Sequence, residues 1–216
     1  MTTLNKSYAA SNDTISANMY NFIIGAVLLY GFAINWYIVA TVPVEAVKAF
    51  GWMLLVGYLV SCVIGSIMIH ASSNPIVSFI GYNFIAVPLG LVLTLILDGV
   101  SPDVVSNAIQ TTALVTVGMI AAGTLAPNFF KSILSGLFWA LLIAIVVQLV
   151  LMFVFEQHLT ILDWAVALIF CGFIGGDWAV AMSLEKTVDN AVDSAATLYL
   201  DIINLFIKIL SIMKED

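Results

Sequence analysis

No arginine occurs anywhere in the 216 residues, and the cations are six lysines: Lys6, Lys48, Lys131, Lys186, Lys208 and Lys214. Against thirteen Asp and Glu they leave a net charge of −7, so the chain presents no basic surface for nucleic acid. Charge of either sign is scarce. Only 9% of residues are charged, whereas an ordinary soluble domain has about a quarter. Two cysteines, Cys62 and Cys171, each sit inside an apolar segment, and neither spacing nor surroundings suits a metal or redox pair. The first eighteen residues lack the hydrophobic core and small-residue cleavage site of a secretory leader, so the first apolar stretch is expected to stay as a membrane anchor.

What is present is hydrocarbon: 62% of residues are hydrophobic and the mean hydropathy is +1.13. About 20 apolar residues cross a bilayer as a helix, and that measure predicts spans at 19–41, 49–70, 75–97, 106–126, 132–155, 161–183 and 194–213. The breaks carry turn chemistry or charge, as in Ser72-Ser73-Asn74-Pro75 and Asp98-Gly99-Val100-Ser101-Pro102-Asp103. The expected fold is an all-α integral membrane protein, a seven-transmembrane-helix bundle with the last helix central. It forms one domain over 19–213, with a polar tail at 1–18 and a short C-terminal tail at 214–216. The loops are short, so successive helices run antiparallel. An N-terminus in the cytoplasm puts Lys6, Lys131 and Lys186 inside and Lys48 and Lys214 outside, which is the orientation expected from the positive-inside rule.

The seventh span differs from the others. Asp193, Thr197, Asp201, Asn204, Lys208 and Ser211 recur every three or four residues, the period of one helix face. In lipid such a stripe must meet protein or a water-filled cavity. The sixth span carries Gly172 with Gly176 and Gly175 with Ala179, pairs that allow close helix approach and are expected to bring Asp177 towards a partner.

Asp177 and Asp201 lie deep in their spans, where each carboxylate costs roughly 2.5–3.5 kcal/mol to insert. Each is twelve residues from Asp189, taken as the centre of the intervening loop. An antiparallel hairpin would therefore bring the two to one depth. Carboxyls held in contact share a proton and titrate as a unit, which makes a pH sensor; ionised, they attract hard cations such as Ca²⁺. Thr197, Asn204, Lys208 and His70 are the polar groups placed to support them. Lys208 either neutralises a carboxylate or snorkels to the interface, with snorkelling favoured, and His70 ends the second span as a protonatable group.

The run Ala195-Ala196-Thr197-Leu198-Tyr199-Leu200-Asp201-Ile202-Ile203-Asn204-Leu205-Phe206 closely resembles the signature of the Bax inhibitor-1 family. Asn74-Pro75-Ile76-Val77-Ser78-Phe79-Ile80-Gly81-Tyr82, Pro88-Leu89-Gly90 and the 24-residue spacing from Asp177 to Asp201 are similar too. The resemblance implies a seven-helix fold with the last helix inside six. It also implies a di-aspartyl, pH-sensitive calcium leak with Asp177 and Asp201 as the matching positions and as transient Ca²⁺ contacts. The chain departs from the family in having no arginine at the end of the second helix to latch the sixth-helix aspartate. His70 lies about where that residue is expected, and Gly176 replaces an aromatic residue.

These readings converge on a pH-sensitive cation leak channel in which protonation of the aspartate pair sets the gate. It is not expected to be an enzyme. No cofactor is expected, with Ca²⁺ as the permeant ion and the lipid bilayer, Ca²⁺ and protons as partners. The alternative is a proton-coupled ion or solute transporter using the same pair, although no inverted repeat is visible. An intramembrane aspartyl protease also needs two facing aspartates. Phe173-Ile174-Gly175-Gly176-Asp177, however, has isoleucine where the Gly-x-Gly-Asp motif needs glycine. The compact chain leans towards a bacterial plasma membrane.

Overall fold

In the computed structural model, residues 14–155 and 159–215 are described. They form α1 (Ala17–Thr41), α2 (Val44–Lys48), α3 (Trp52–Ala71), α4 (Pro75–Ile96), α5 (Pro102–Leu125), α6 (Pro127–Val154), α7 (Thr160–Ser183) and α8 (Val188–Glu215). Seven of these are long and apolar enough to cross a membrane. The seven predicted spans therefore correspond to α1 and α3 to α8.

Three helices, α5, α6 and α8, start well before the hydropathy pattern predicts. Pro102 and Pro127 occupy the first turns of α5 and α6, where a missing N–H costs nothing, and the Ser101 hydroxyl accepts from the Val104 amide. Polar residues follow in both first turns, so an apolar run becomes visible only at 106 and 132. Asp189, Asn190 and Asp193 hide the start of α8 in the same way. The short α2 was not predicted; it tucks Val47 against α4.

α8 is the central element. It packs against α1, α4, α5 and α7, while α3 lies outside on α4 and α6 outside on α7. The outer helices expose hydrocarbon, as Leu55, Leu59 and Val63 on α3 and Trp139, Ile143 and Val150 on α6 illustrate. A surface of this kind is stable only in lipid. Buried aromatic rings fill the other side: Tyr82 of α4 meets Tyr199 of α8 edge-on at 5.2 Å, and Asn35 of α1 donates to the Tyr199 hydroxyl.

One face of the bundle gathers the start of α1 and the α7–α8 loop, where the Ile15 amide donates to the Lys186 carbonyl at 2.8 Å. There the fully buried Tyr20 hydroxyl donates to the Ala181 carbonyl at 3.1 Å and lies 3.0 Å from the Ser194 hydroxyl. Lys186 caps α7 through the Ala181 and Met182 carbonyls, with its ammonium 4.4 Å above the Tyr20 ring. Partial burial holds that ammonium below the usual lysine range. Loops and ends on the opposite face include the Lys48–Asp98 bridge at 2.7 Å.

Candidate functional site

Asp177 projects from α7 and Asp201 from α8, and their carboxyl groups lie within hydrogen-bonding reach of each other. Asp201 is 7% exposed, and its Oδ2 meets no amide or hydroxyl donor. An ionised carboxyl only accepts hydrogen bonds. A carboxyl–carboxyl contact of this kind therefore has a donor only when one partner carries a proton. No third His, Cys, Asp or Glu completes a metal-binding group with the pair among the described residues.

The pairing arises differently from the way the sequence suggests. Asp189 is not the loop centre: the loop is Leu184–Thr187, and Asp189 stands in the first turn of α8, where its Oδ1 accepts from the buried Ser78 hydroxyl of α4 at 2.9 Å. The glycines also face elsewhere. A β-carbon at Gly172 would meet Leu137, one at Gly175 would meet Phe130 and one at Gly176 would meet Leu134, all on α6. The small-residue face of α7 therefore packs against α6, and Asp177 reaches α8 from a different side of the helix.

The predicted supporting groups divide. Thr197 is exposed and donates to the Asp193 carbonyl at 3.1 Å, and Asn204 donates to the Leu200 carbonyl at 2.8 Å. Both bonds stay within their own helix, four residues back. His70 is exposed at the end of α3, with Nδ1 2.8 Å from the Ser66 carbonyl, and the structure does not bring it to the aspartates. α3 rests on α4, one helix removed from the pair.

Lys208 does not snorkel. Its ammonium sits 2.7 Å from Oδ1 of Asp163, a residue in the first turn of α7 with no solvent exposure. Gln148 of α6 donates to the same oxygen at 3.2 Å, and the Ser211 hydroxyl donates to Asp163 Oδ2 at 2.7 Å. Sequence reasoning missed Asp163 and Gln148. The available signal was a third carboxylate beginning the sixth span, with a lysine late in the seventh to neutralise it.

Apolar helices of membrane length around a central helix that carries a polar stripe define an integral membrane helical bundle. Residues 12–216 match the family described as "Inhibitor of apoptosis-promoting Bax1", and the chain belongs to that family. It is 34% identical over 114 residues to an uncharacterized membrane protein of Vibrio cholerae, a stretch covering 52% of this chain and 50% of that protein. The chain thus spans about half the length of that curated relative. No solved structure matches it.

Proposed function

We propose that the protein is a pH-gated cation leak, with Ca²⁺ as the permeant ion and the Asp177–Asp201 pair as the gate. The observation that carries this reading is the contact between two carboxyls, one on the central helix α8 and one on its neighbour α7, with the α8 carboxyl buried. With a shared proton, the pair hydrogen-bonds α7 to α8 and favours a closed bundle. With both ionised, like charges in a low dielectric repel by several kcal/mol, an order-of-magnitude figure comparable with the gap between conformers of a bistable bundle. The helices then part, water enters, and the carboxylates attract a divalent ion. Ca²⁺ takes roughly six to eight oxygen ligands; two carboxylates alone suit a passing ion rather than a resident one.

Purified protein in liposomes tests this. Ca²⁺ flux should rise with pH, without an imposed proton gradient. Flux that saturates and runs only when a proton gradient drives it would instead support the proton-coupled transporter.

We further propose that the protein lies in a bacterial plasma membrane with its N-terminus on the cytoplasmic side. Lys131 and Lys186 sit at the same bundle face as the start of α1, and the relative is bacterial. A cysteine introduced in the Leu97–Ser101 turn should be labelled by an impermeant thiol reagent from outside the cell. Labelling only after lysis would reverse the orientation.

A further inference from the structure

The seam between α7 and α8 carries a second polar contact that the gate does not use. Asp163 precedes Asp177 by fourteen residues in the same helix, about 21 Å along its axis, most of the way to the opposite face of a bilayer core about 30 Å thick. There it meets Lys208, one of the three lysines within the seven spans. The arrangement is lopsided. Asp163 has no exposure and is held by Lys208, Gln148 and Ser211, whereas the Lys208 side chain keeps 21% of its surface open. The open member of the pair is therefore the cation.

An ammonium beside a cation path is a barrier unless a countercharge cancels it, and its repulsion doubles for a divalent ion. We propose that Asp163 is a specificity-determining residue. It neutralises the Lys208 ammonium and draws it against α7, so that a divalent cation can pass the far end of the α7–α8 seam. This rests on the reading of that seam as the cation path. Gln148 fixes the geometry from α6, its Oε1 3.5 Å from the Lys208 ammonium. Three helices thereby hold one charge in place.

The test is the ratio of Ca²⁺ to K⁺ flux in proteoliposomes at a pH where the wild-type leak is open. Asp163→Asn should lower the ratio roughly tenfold, because an unmatched positive charge opposes the divalent ion more strongly. Lys208→Met should raise the ratio, and it leaves Asp163 its Gln148 and Ser211 donors, so it serves even if Asp163→Asn does not fold. The double variant Asp163→Asn/Lys208→Met, neutral at both positions, should return to within about threefold of wild type if the two charges act only on each other. A merely structural ion pair would lower Ca²⁺ and K⁺ flux alike and leave the ratio unchanged in all three variants; that result overturns the proposal. A wild-type protein without cation flux would overturn the leak itself. Wild-type flux with an unchanged ratio in Lys208→Met would overturn the role of Asp163 alone.

Discussion

Two substitutions at Asp201 are expected to act in opposite directions. An asparagine at this position would have nearly the shape of aspartate and would carry an amide that donates to the Asp177 carboxylate at any pH. In Asp201→Asn the tie between α7 and α8 therefore no longer depends on a proton, and the leak should stay at the wild-type acidic level, roughly tenfold below the open level, across the pH range. Asp201→Ala removes the partner altogether. A buried hydrogen bond contributes about 0.5–1.5 kcal/mol and more when charge is involved, so losing it should raise the leak at acidic pH several-fold and flatten its response. Liposome flux across pH for the two variants checks both directions. Equal behaviour of the two would mean that position 201 matters only for packing.

The second large effect is on stability. A β-carbon at Gly123 of α5 would lie against the carbonyl of Gly175 in α7, a backbone group that has no rotamer to escape into. Gly123→Val should force α5 and α7 apart and destabilise the bundle by about 1–3 kcal/mol. Gly118 lies in the same helix with open space where its β-carbon would go. Gly118→Ala should be neutral or stabilising by up to about 1 kcal/mol through helix propensity. Thermal unfolding of the two purified variants in one detergent reads the contrast. Similar melting for both would show that the α5–α7 crossing is loose.

The contrast between those glycines illustrates what a sequence can convey. Span number, the polar stripe of α8 and the position of Asp177 and Asp201 deep in their spans follow from hydropathy and the helical period, because lipid punishes every exposed polar group. Which face meets which neighbour does not follow. Gly172, Gly175 and Gly176 announce a close approach but not to α6 rather than α8, since a periodic pattern fixes a face without fixing its partner. Lys208 shows the same limit. Its place on the stripe was legible, yet its partner Asp163 lies 45 residues away in sequence, and a helix-end lysine reads equally well as interfacial. Asp189 misled for a local reason: three acidic or amide side chains in the first two turns of α8 resemble a loop until Ser78 is seen to satisfy one of them.

The most direct measurement is Ca²⁺ flux into liposomes across pH for the double variant Asp177→Asn/Asp201→Asn beside the wild type. Two amides can hydrogen-bond to each other at every pH and have no proton to lose. The account predicts a double variant that folds, incorporates normally and shows a flat, low leak where the wild-type leak rises with pH. A double variant whose flux rises with pH as the wild type's does would contradict it, leaving the two aspartates as structural polar groups and the gate elsewhere.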